Sequence, residues 1–404
     1  MISISNENKK DCCGCTACAN ICPKQCITMT DDNEGFKYPL VDFNKCVDCH
    51  LCERVCPIIN KIESKEEPKE AYIVRNNDAE IVRNSTSGGA VTAFCEEILS
   101  RNGIIFGGAF DNDFEVRHLS AESVEELKKF RSSKYVQSDL TDTFKRVKKN
   151  LDDGRYVMFT GTPCQVEGLL KYLQKPYDNL FTVDFVCRAV PSPLVWRKYK
   201  ELKTKKYKSE ITYANFREKT YGYHSANLTL RFANGKKSIE NTKTDYMLKS
   251  FFDGICSRPS CYECSFRKVD RVSDLTVFDC WNITRYVPTL ADDDKGYTAV
   301  IVQSEKGRQM LKNVSEKLIM HKADVDTLIK NDGFMAVNNP YKHPKKDEYF
   351  KMLSNGAELD KVVQTFVPIK LSRKLLGRTR GILYRLGLLN RLKKSSASTR
   401  NSSR

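Results

Sequence analysis

Nowhere in the 404 residues does an apolar run reach the roughly 18 residues that a membrane-spanning helix requires. The opening segment MISISNENKKD contains no apolar stretch of signal-peptide type. A cytoplasmic protein is expected. Neither a G-x-G-x-x-G dinucleotide fingerprint nor a G-x-x-x-x-G-K-[ST] phosphate loop occurs, so any nucleotide cofactor is held by other means. Acidic residues are also missing from one region. After Asp360 there are twelve bases and no acid, and this accounts for most of the formal charge of +16. The first 360 residues carry 55 bases against 51 acids, a net +4. A body so nearly neutral lacks the electrostatic footprint of a nucleic-acid binder, and no nucleic-acid partner is expected.

Cysteine, in contrast, is abundant. Ten of the seventeen cysteines fall within the first 56 residues. In a reducing compartment a disulfide framework does not persist, so this density points to metal or redox chemistry. Residues 12–23 read CCGCTACANICP and residues 46–57 read CVDCHLCERVCP, so the spacing C-x2-C-x2-C-x3-C-P occurs twice. Three closely spaced thiolates wrap one face of an iron–sulfur cube, and the fourth, before proline, reaches the other cluster. The predicted ligand sets are Cys12, Cys15 and Cys18 with Cys56, and Cys46, Cys49 and Cys52 with Cys22. Cys13 and Cys26 fall outside the spacing and are expected to be spectators. Zinc is the alternative, but zinc sites use two separated pairs rather than two complete four-cysteine runs. Between the runs, ITMTDDNEGFKYPLV predicts a hairpin around Asp32-Asn33-Glu34-Gly35 that covers the clusters. The expected organisation is a two-cluster 4Fe–4S ferredoxin-like domain over residues 1–62, a charged linker over 63–70, a larger domain over 71–365 and a basic tail over 366–404.

In the larger domain, apolar runs of strand type (AYIVR, GIIFGGAF, YVMFTG, LFTVDFVC) alternate with amphipathic helical stretches such as QVEGLLKYLQK. From about Glu210 the texture changes to strand pairs, ITYANFREK and NLTLRFANGKKSIEN. A helix (DYMLKSFFDGIC) follows, then the strands DLTVFDCW and YTAVIVQS, and residues 305–320 and 347–365 read as closing helices. The fold class is α+β overall, a ferredoxin-like domain followed by a mixed α/β domain. Three turns are candidate anion or cofactor sites. Ser87-Gly88-Gly89 precedes a helix, whose free N–H groups attract anions. Ser133-Lys134-Tyr135 sets a hydroxyl, a cation and a ring on one loop. Gly161-Thr162-Pro163-Cys164 follows a strand at the expected carboxyl edge of the sheet. Cys164 and Cys187 both follow apolar strands, and Cys261 and Cys264 share a loop. If those ends meet, four thiolates converge on a third cluster; otherwise Cys164 and Cys187 are buried small hydrophobes. Cys256 and Cys280 are alternative ligands, and Cys95 belongs to the core.

The ordered segments GTPCQVEGL (161–169), PSPLVWRKY (191–199), FREK (216–219), RPSCYECSF (258–266), SDLTVFDCW (273–281) and DDDKGYTAV (292–300), behind a two-cluster ferredoxin, resemble the coenzyme F420 hydrogenase/dehydrogenase beta-subunit family. The resemblance runs from about Asp11 to Gln303. It implies a flavin, FAD, beside the iron–sulfur clusters, with electrons passing to a deazaflavin or another small acceptor. It also implies a third 4Fe–4S cluster on Cys164, Cys187, Cys261 and Cys264, and flavin contacts from Ser87, Gly88, Gly89, Ser133, Lys134 and Tyr135. Two motifs depart from the family pattern. Cys187-Arg188-Ala189 stands for Cys-His-Gly, and Phe278-Asp279-Cys280-Trp281-Asn282 stands for Gly-Asp-Phe-Trp-Gly, so Asp279 and Trp281 persist while the glycines are filled. Filled glycines narrow a site that others leave open. Arg188, Arg217, Lys219 and Arg258 are candidates for an anionic substrate.

Cubane clusters carry electrons singly and hydride-type acceptors take pairs, so a converter such as a flavin is required. The expected donor is a ferredoxin-like or other redox partner. The competing reading is an electron-transfer subunit that docks on a partner enzyme and has no small substrate of its own. In the tail, Leu371, Leu375, Ile382, Leu386 and Leu389 fall on one helical face among bases, which suits peripheral contact with an anionic membrane or packing on a partner.

Overall fold

The computed structural model describes residues 8–63, 69–225 and 227–386. Most of the expected linker, residues 64–68, and the tail from residue 387 lie outside the described residues. No described helix is long and apolar enough to cross a membrane.

The N-terminal region is ferredoxin-like. Short helices Ala17–Ile21 and Leu51–Arg54 follow the two cysteine runs, and strands β1 (Ile27–Asp31) and β2 (Lys37–Val41) pair antiparallel, Ile27 opposite Val41. The tip is set by Asp32, whose Oδ1 accepts from the Glu34 and Phe36 amides at 2.9 Å, while Gly35 takes φ +79°. Ile27 and Val41 pack on Cys18, Cys22 and Cys52 and close one side of the cysteine group.

The larger domain is mixed α/β. Its strands in chain order are β3 (Glu70–Asn76), β4 (Ile104–Phe110), β5 (Val116–Ala121), β6 (Val157–Gly161), β7 (Leu180–Phe185), β8 (Ile211–Glu218), β9 (Asn227–Phe232), β10 (Lys237–Glu240), β11 (Leu275–Cys280), β12 (Tyr297–Val302) and β13 (Leu318–Ala323). Eight of them form one sheet in the order β13-β3-β12-β11-β7-β6-β4-β5. The central pairs β11/β7, β7/β6 and β6/β4 are parallel and the flanking pairs antiparallel. Their buried Val, Ile and Phe runs reflect helix cover on both faces. Helices Ala90–Ser100 and Glu305–Asn313 cover one face, and Thr143–Asp152 and Pro163–Leu173 the other. The core on this second face also contains Cys13, Cys15, Ala17 and Val55, so the ferredoxin-like region shares a hydrophobic core with the sheet.

Strands β8 to β10 make a separate antiparallel sheet, turned at Asn234-Gly235. Helices Pro193–Tyr207, Tyr246–Phe252, Lys346–Ser354 and Leu359–Phe366 pack on it around Trp196, Tyr199 and Tyr349. The expected helix over 305–320 ends at Asn313, and Leu318–Ala323 instead pairs with β3 as an edge strand, Leu318 opposite Asn76. The Leu318 side chain is buried while Ile319 is exposed, a strand alternation that the preceding helical periodicity masks.

Candidate functional site

Strands β4, β6, β7 and β11 run in one direction, so their carboxyl ends lie along one edge of the sheet. Ligands of α/β proteins gather at such edges. Two cavities open there.

The first, about 250 Å³, is lined by Cys13, Cys164, Cys187, Cys261 and Cys264 together with Thr162, Gln137, Arg267 and Arg271. Cys164 enters at the first turn of the helix Pro163–Leu173, whose start is fixed by Pro163 and by Gln165 Oε1 accepting from the Thr162 amide at 3.0 Å. Helix N-termini favour negative charge. The Thr162 hydroxyl lies 3.1 Å from Cys164 Sγ. Cys187 follows β7. Its backbone carbonyl accepts from Arg267 Nη1 at 3.0 Å, and Arg267 also bonds the carbonyls of Arg188 and Met335. Arg271 bonds Asp184 at 3.2 Å and the Phe185 carbonyl at 3.1 Å, which anchors the end of β7. Burial and the nearby Cys261, Cys164 and Cys264 thiols push the Cys187 thiol well up, and burial pushes Cys261 up to about 12. Buried thiols crowded in this way cannot all ionise without a compensating positive centre.

Cys13, expected to be a spectator, faces this cavity, and its thiol interacts with those of Cys15 and Cys164. It therefore bridges the first cysteine run and the cavity. Cys26, the other expected spectator, lies 3.3 Å from Cys22 and beside Cys46. Neither placement follows from spacing, since both depend on how the chain folds back. Cys256 is sealed in the aromatic core and Cys280 packs near Asp332, so neither lines the cavity. Cys95 is core, as expected.

In the N-terminal region the Cys18 thiol is pushed up by burial and by the neighbouring Cys12, Cys56 and Cys52 thiols. Backbone amides point at these sulfurs: Ala17 toward Cys15, Ala19 toward Cys18, and Ile58 and Ile59 toward Cys56. Such donors stabilise thiolates and tune cluster potentials. Cys46 is partly exposed and Cys49 exposed. A single-ion site needs its ligands around one point, and among the described residues no three His, Cys, Asp or Glu side chains close on one.

The second cavity, about 730 Å³, is open to solvent and lies between β4, the 128–134 loop, β8 and the 80–85 turn. Its size lies within the range of cofactor sites. Eight cations line it, among them Arg131, Lys134, Arg217 and Lys219, against the two carboxylates Glu80 and Glu218. Ser133 and Lys134 are in the wall; Ser133 is held by Thr86, whose hydroxyl accepts from the Ser133 amide at 2.8 Å. Lys134 Nζ donates to the carbonyls of Lys129 (2.8 Å) and Arg131 (3.1 Å), and burial lowers it to about 7. Tyr135 sits behind the wall, its hydroxyl 3.2 Å from Arg217 Nη1. Arg217 lies over the Trp281 ring at 4.8 Å and bonds Asp279 Oδ2 at 3.2 Å, and Trp281 in turn stacks on Tyr223. Arg217 Nε and Nη2 and Arg131 Nε are buried without a partner.

Ser87, Gly88 and Gly89 do not reach this wall; Ser85 takes their place. The Ser87 hydroxyl bonds the Tyr297 carbonyl. A methyl at Gly88 would stand 2.5 Å from the Val74 carbonyl oxygen, so this glycine permits close packing of the turn on β3 and β12. Of the four candidate cations for an anionic substrate, only Arg217 keeps unpartnered buried nitrogens in a cavity. Lys219 lines the same cavity but donates to the carbonyls of Val82, Ser87 and Lys295. Arg188 lies over Phe252 at 5.4 Å, between the cavities. Arg258 is fully buried at the seam with the ferredoxin-like region, where it bonds the Cys12 and Lys37 carbonyls, which removes it from the substrate candidates. Sequence reasoning missed Ser85, Phe110 and Arg131 as wall residues, because they come together only in the folded chain.

Residues 154–327 match the family described as the C terminus of the coenzyme F420 hydrogenase/dehydrogenase beta subunit, and residues 11–58 match the 4Fe-4S dicluster domain. A coenzyme F420-dependent sulfite reductase of Methanocaldococcus jannaschii is 30% identical over 172 residues, 41% of this chain. The chain spans only 26% of that relative's length. A 7Fe ferredoxin of Hydrogenibacillus schlegelii is 34% identical over 64 residues, 15% of this chain and 76% of the ferredoxin. A chain of the F420-reducing [NiFe] hydrogenase complex from Methanosarcina barkeri aligns over 75% of this chain and 94% of its own, with a TM-score of 0.41 and 17% identity. With its 4Fe–4S dicluster domain and the matching region behind it, the chain belongs to the coenzyme F420 hydrogenase/dehydrogenase beta-subunit family of iron–sulfur oxidoreductases.

Proposed function

We propose that the protein is an iron–sulfur flavoprotein oxidoreductase that moves electrons between its N-terminal clusters and a small acceptor. In this reading Cys12, Cys15, Cys18 and Cys56 hold one N-terminal cluster and Cys46, Cys49, Cys52 and Cys22 the other. Cys164, Cys187, Cys261 and Cys264 hold a third, and FAD occupies the 730 Å³ cavity. The observation that carries the reading is the alignment of three compartments. The first cysteine run touches the 250 Å³ cavity through Cys13, and that cavity adjoins the basic one through Arg188, Phe252 and Tyr135.

The donor set supports the cofactors. Four further thiols beside an arginine pair suit a cluster whose net charge is negative. Unpartnered buried nitrogens on Arg217 and Arg131, in a wall dominated by cations, suit the phosphates of a dinucleotide. A flavin held there accepts electrons singly and passes them on in pairs. Tyr135 braces Arg217, Asp279 and Trp281 hold its guanidinium in place, and Ser133 and Lys134 complete the wall. The opening of the cavity to solvent favours an enzyme with its own small acceptor over a sealed relay. A deazaflavin is one such acceptor, and the filled Ala189 and Asn282 positions argue for a narrower one. A ferredoxin-like partner is the proposed donor, approaching the exposed Cys49 side.

The test is anaerobic purification with iron and sulfide counts and chromatography of released flavin. About twelve irons with FAD are expected, at four irons per cubane cluster. About eight irons and no flavin would overturn the reading.

A further inference from the structure

The described part of the basic tail is a helix, Leu371–Arg385, capped by Leu386. Its contacts with the body are made by one side. A side chain at Gly377 would meet Thr244 at 3.4 Å and one at Gly381 the Tyr221 hydroxyl at 3.7 Å, while the Tyr384 ring packs edge-on against Tyr221 at 5.0 Å. At about 100° per residue, these three positions fall within roughly 60° of arc. Leu371, Leu375, Ile382 and Leu386 fall within another arc of roughly 60° on the opposite side. They are 71%, 53%, 56% and 64% exposed. A helix that used its apolar stripe to pack on the body would turn that stripe inward. This one turns its glycines inward and leaves the stripe uncovered.

We propose that this stripe is a docking surface for an anionic lipid bilayer. The choice of occupant rests on charge. From Lys361 onward the chain carries twelve bases and no acid, while the preceding body is nearly neutral. A second copy seated on the same face would bring two such cationic segments together, whereas an anionic lipid surface answers both the apolar stripe and the charge. The geometry sets the body's orientation, because Tyr384 on the inward side also lines the basic cavity. The docked helix would hold that wall of the cavity beside the lipid surface. The docking does not depend on which cofactors the body holds.

Flotation of the full-length, anaerobically purified holoprotein with vesicles tests this. Vesicles of phosphatidylcholine alone are compared with vesicles in which a quarter of the lipid is phosphatidylglycerol, in low and high salt. At low salt the anionic vesicles should retain at least about tenfold more protein, since each cation near the surface contributes about fivefold. High salt should reduce retention to the level of the neutral vesicles. The combined variant Leu371→Asp, Leu375→Asp, Ile382→Asp and Leu386→Asp should lose retention while keeping the visible absorption of the clusters. Equal retention on both vesicle types by the unaltered protein would overturn the proposal. So would undiminished retention of the variant, or a dimer that the same substitutions abolish without any vesicle binding.

Discussion

At the scale of single residues, the second cavity turns on Arg217. Its guanidinium is held by Tyr135, Asp279 and the Trp281 ring, yet two of its nitrogens point into the cavity unpaired. Arg217→Gln should therefore lower FAD retention by tenfold or more, because a charge-assisted bond to a phosphate is worth about 1.5–3 kcal/mol. Ser87→Ala, away from the wall, should leave flavin content unchanged; flavin-to-protein ratio after desalting is the measurement. A second residue sets an acid limit. His118 stacks on Phe159 and bonds the Thr160 carbonyl through Nε2 at 3.0 Å, and burial lowers its pKa to about 4. Below about pH 6.5 the unfolded chain takes a proton here that the folded chain refuses. Stability is thus fully present above that pH and falls as pH drops toward 4, by up to about 3 kcal/mol from this group. His118→Phe should cost about 1 kcal/mol at neutral pH, where the Thr160 carbonyl loses its donor, and should be the more stable protein near pH 4.5. Parallel thermal-unfolding curves for the two proteins across this range would refute the assignment. Arg217 was legible because it lies in a short motif, FREK. The partners that shape its cavity, Arg131 and Ser85, were not, because they are distant in sequence and meet only across the sheet edge.

At the scale of elements, the helix Pro163–Leu173 couples two compartments. Its first turn carries Cys164 into the smaller cavity, and its middle presents Gly168 to the first cysteine run. A methyl at Gly168 would stand 2.7 Å from Cys15 Cβ and 2.9 Å from its sulfur. Gly168→Ala should destabilise the protein by about 1–3 kcal/mol and lower its iron content, since overpacking here displaces Cys15. Gly108→Ala in β4 adds the same methyl where nothing lies within 4 Å, so iron and melting temperature should stay at parental values. Equal effects of the two substitutions would refute the steric argument. The sequence made this helix visible through Thr162-Pro163 at its start and its apolar periodicity. The strands β5 and β13 were harder to read. β5 (VRHLSA) buries a histidine among polar neighbours, and β13 follows an amphipathic helix whose periodicity extends toward it. Both are outer strands of the sheet, where pairing with a neighbour decides the conformation more than local propensity does.

At the scale of the whole molecule, the charge, the cysteine groups and the seam between the two regions bear on one question, whether the ferredoxin-like region is a tethered shuttle or a fixed part of the body. Arg258 is fully buried at the seam, donating to the Cys12 carbonyl at 2.8 Å, the Lys37 carbonyl at 3.0 Å and Gln137 at 2.9 Å, with Tyr38 stacked at 4.2 Å. Glu34 at the hairpin tip pairs with the buried Lys346, and its carbonyl accepts from Ser192. Asn20 reaches the Thr141 carbonyl at 2.8 Å. Gly14 and Gly35, both at positive φ, let the backbone approach Arg258 and Leu194 more closely than any side chain would allow. Buried, multiply bonded contacts of this kind are little screened by salt. After cleavage at a protease site inserted between residues 64 and 68, the N-terminal fragment should therefore stay with the body through gel filtration, in low and high salt alike. Arg258→Ala leaves two carbonyls and a glutamine unpaired in a dry seam, a loss of about 3–5 kcal/mol, and the cleaved variant should release its fragment. If the fragment of the cleaved parent separates unaided, the seam does not hold the two regions together. A fixed seam matters for electron flow because the first cysteine run meets the smaller cavity through Cys13, and only a region that stays docked keeps that contact in place through every transfer.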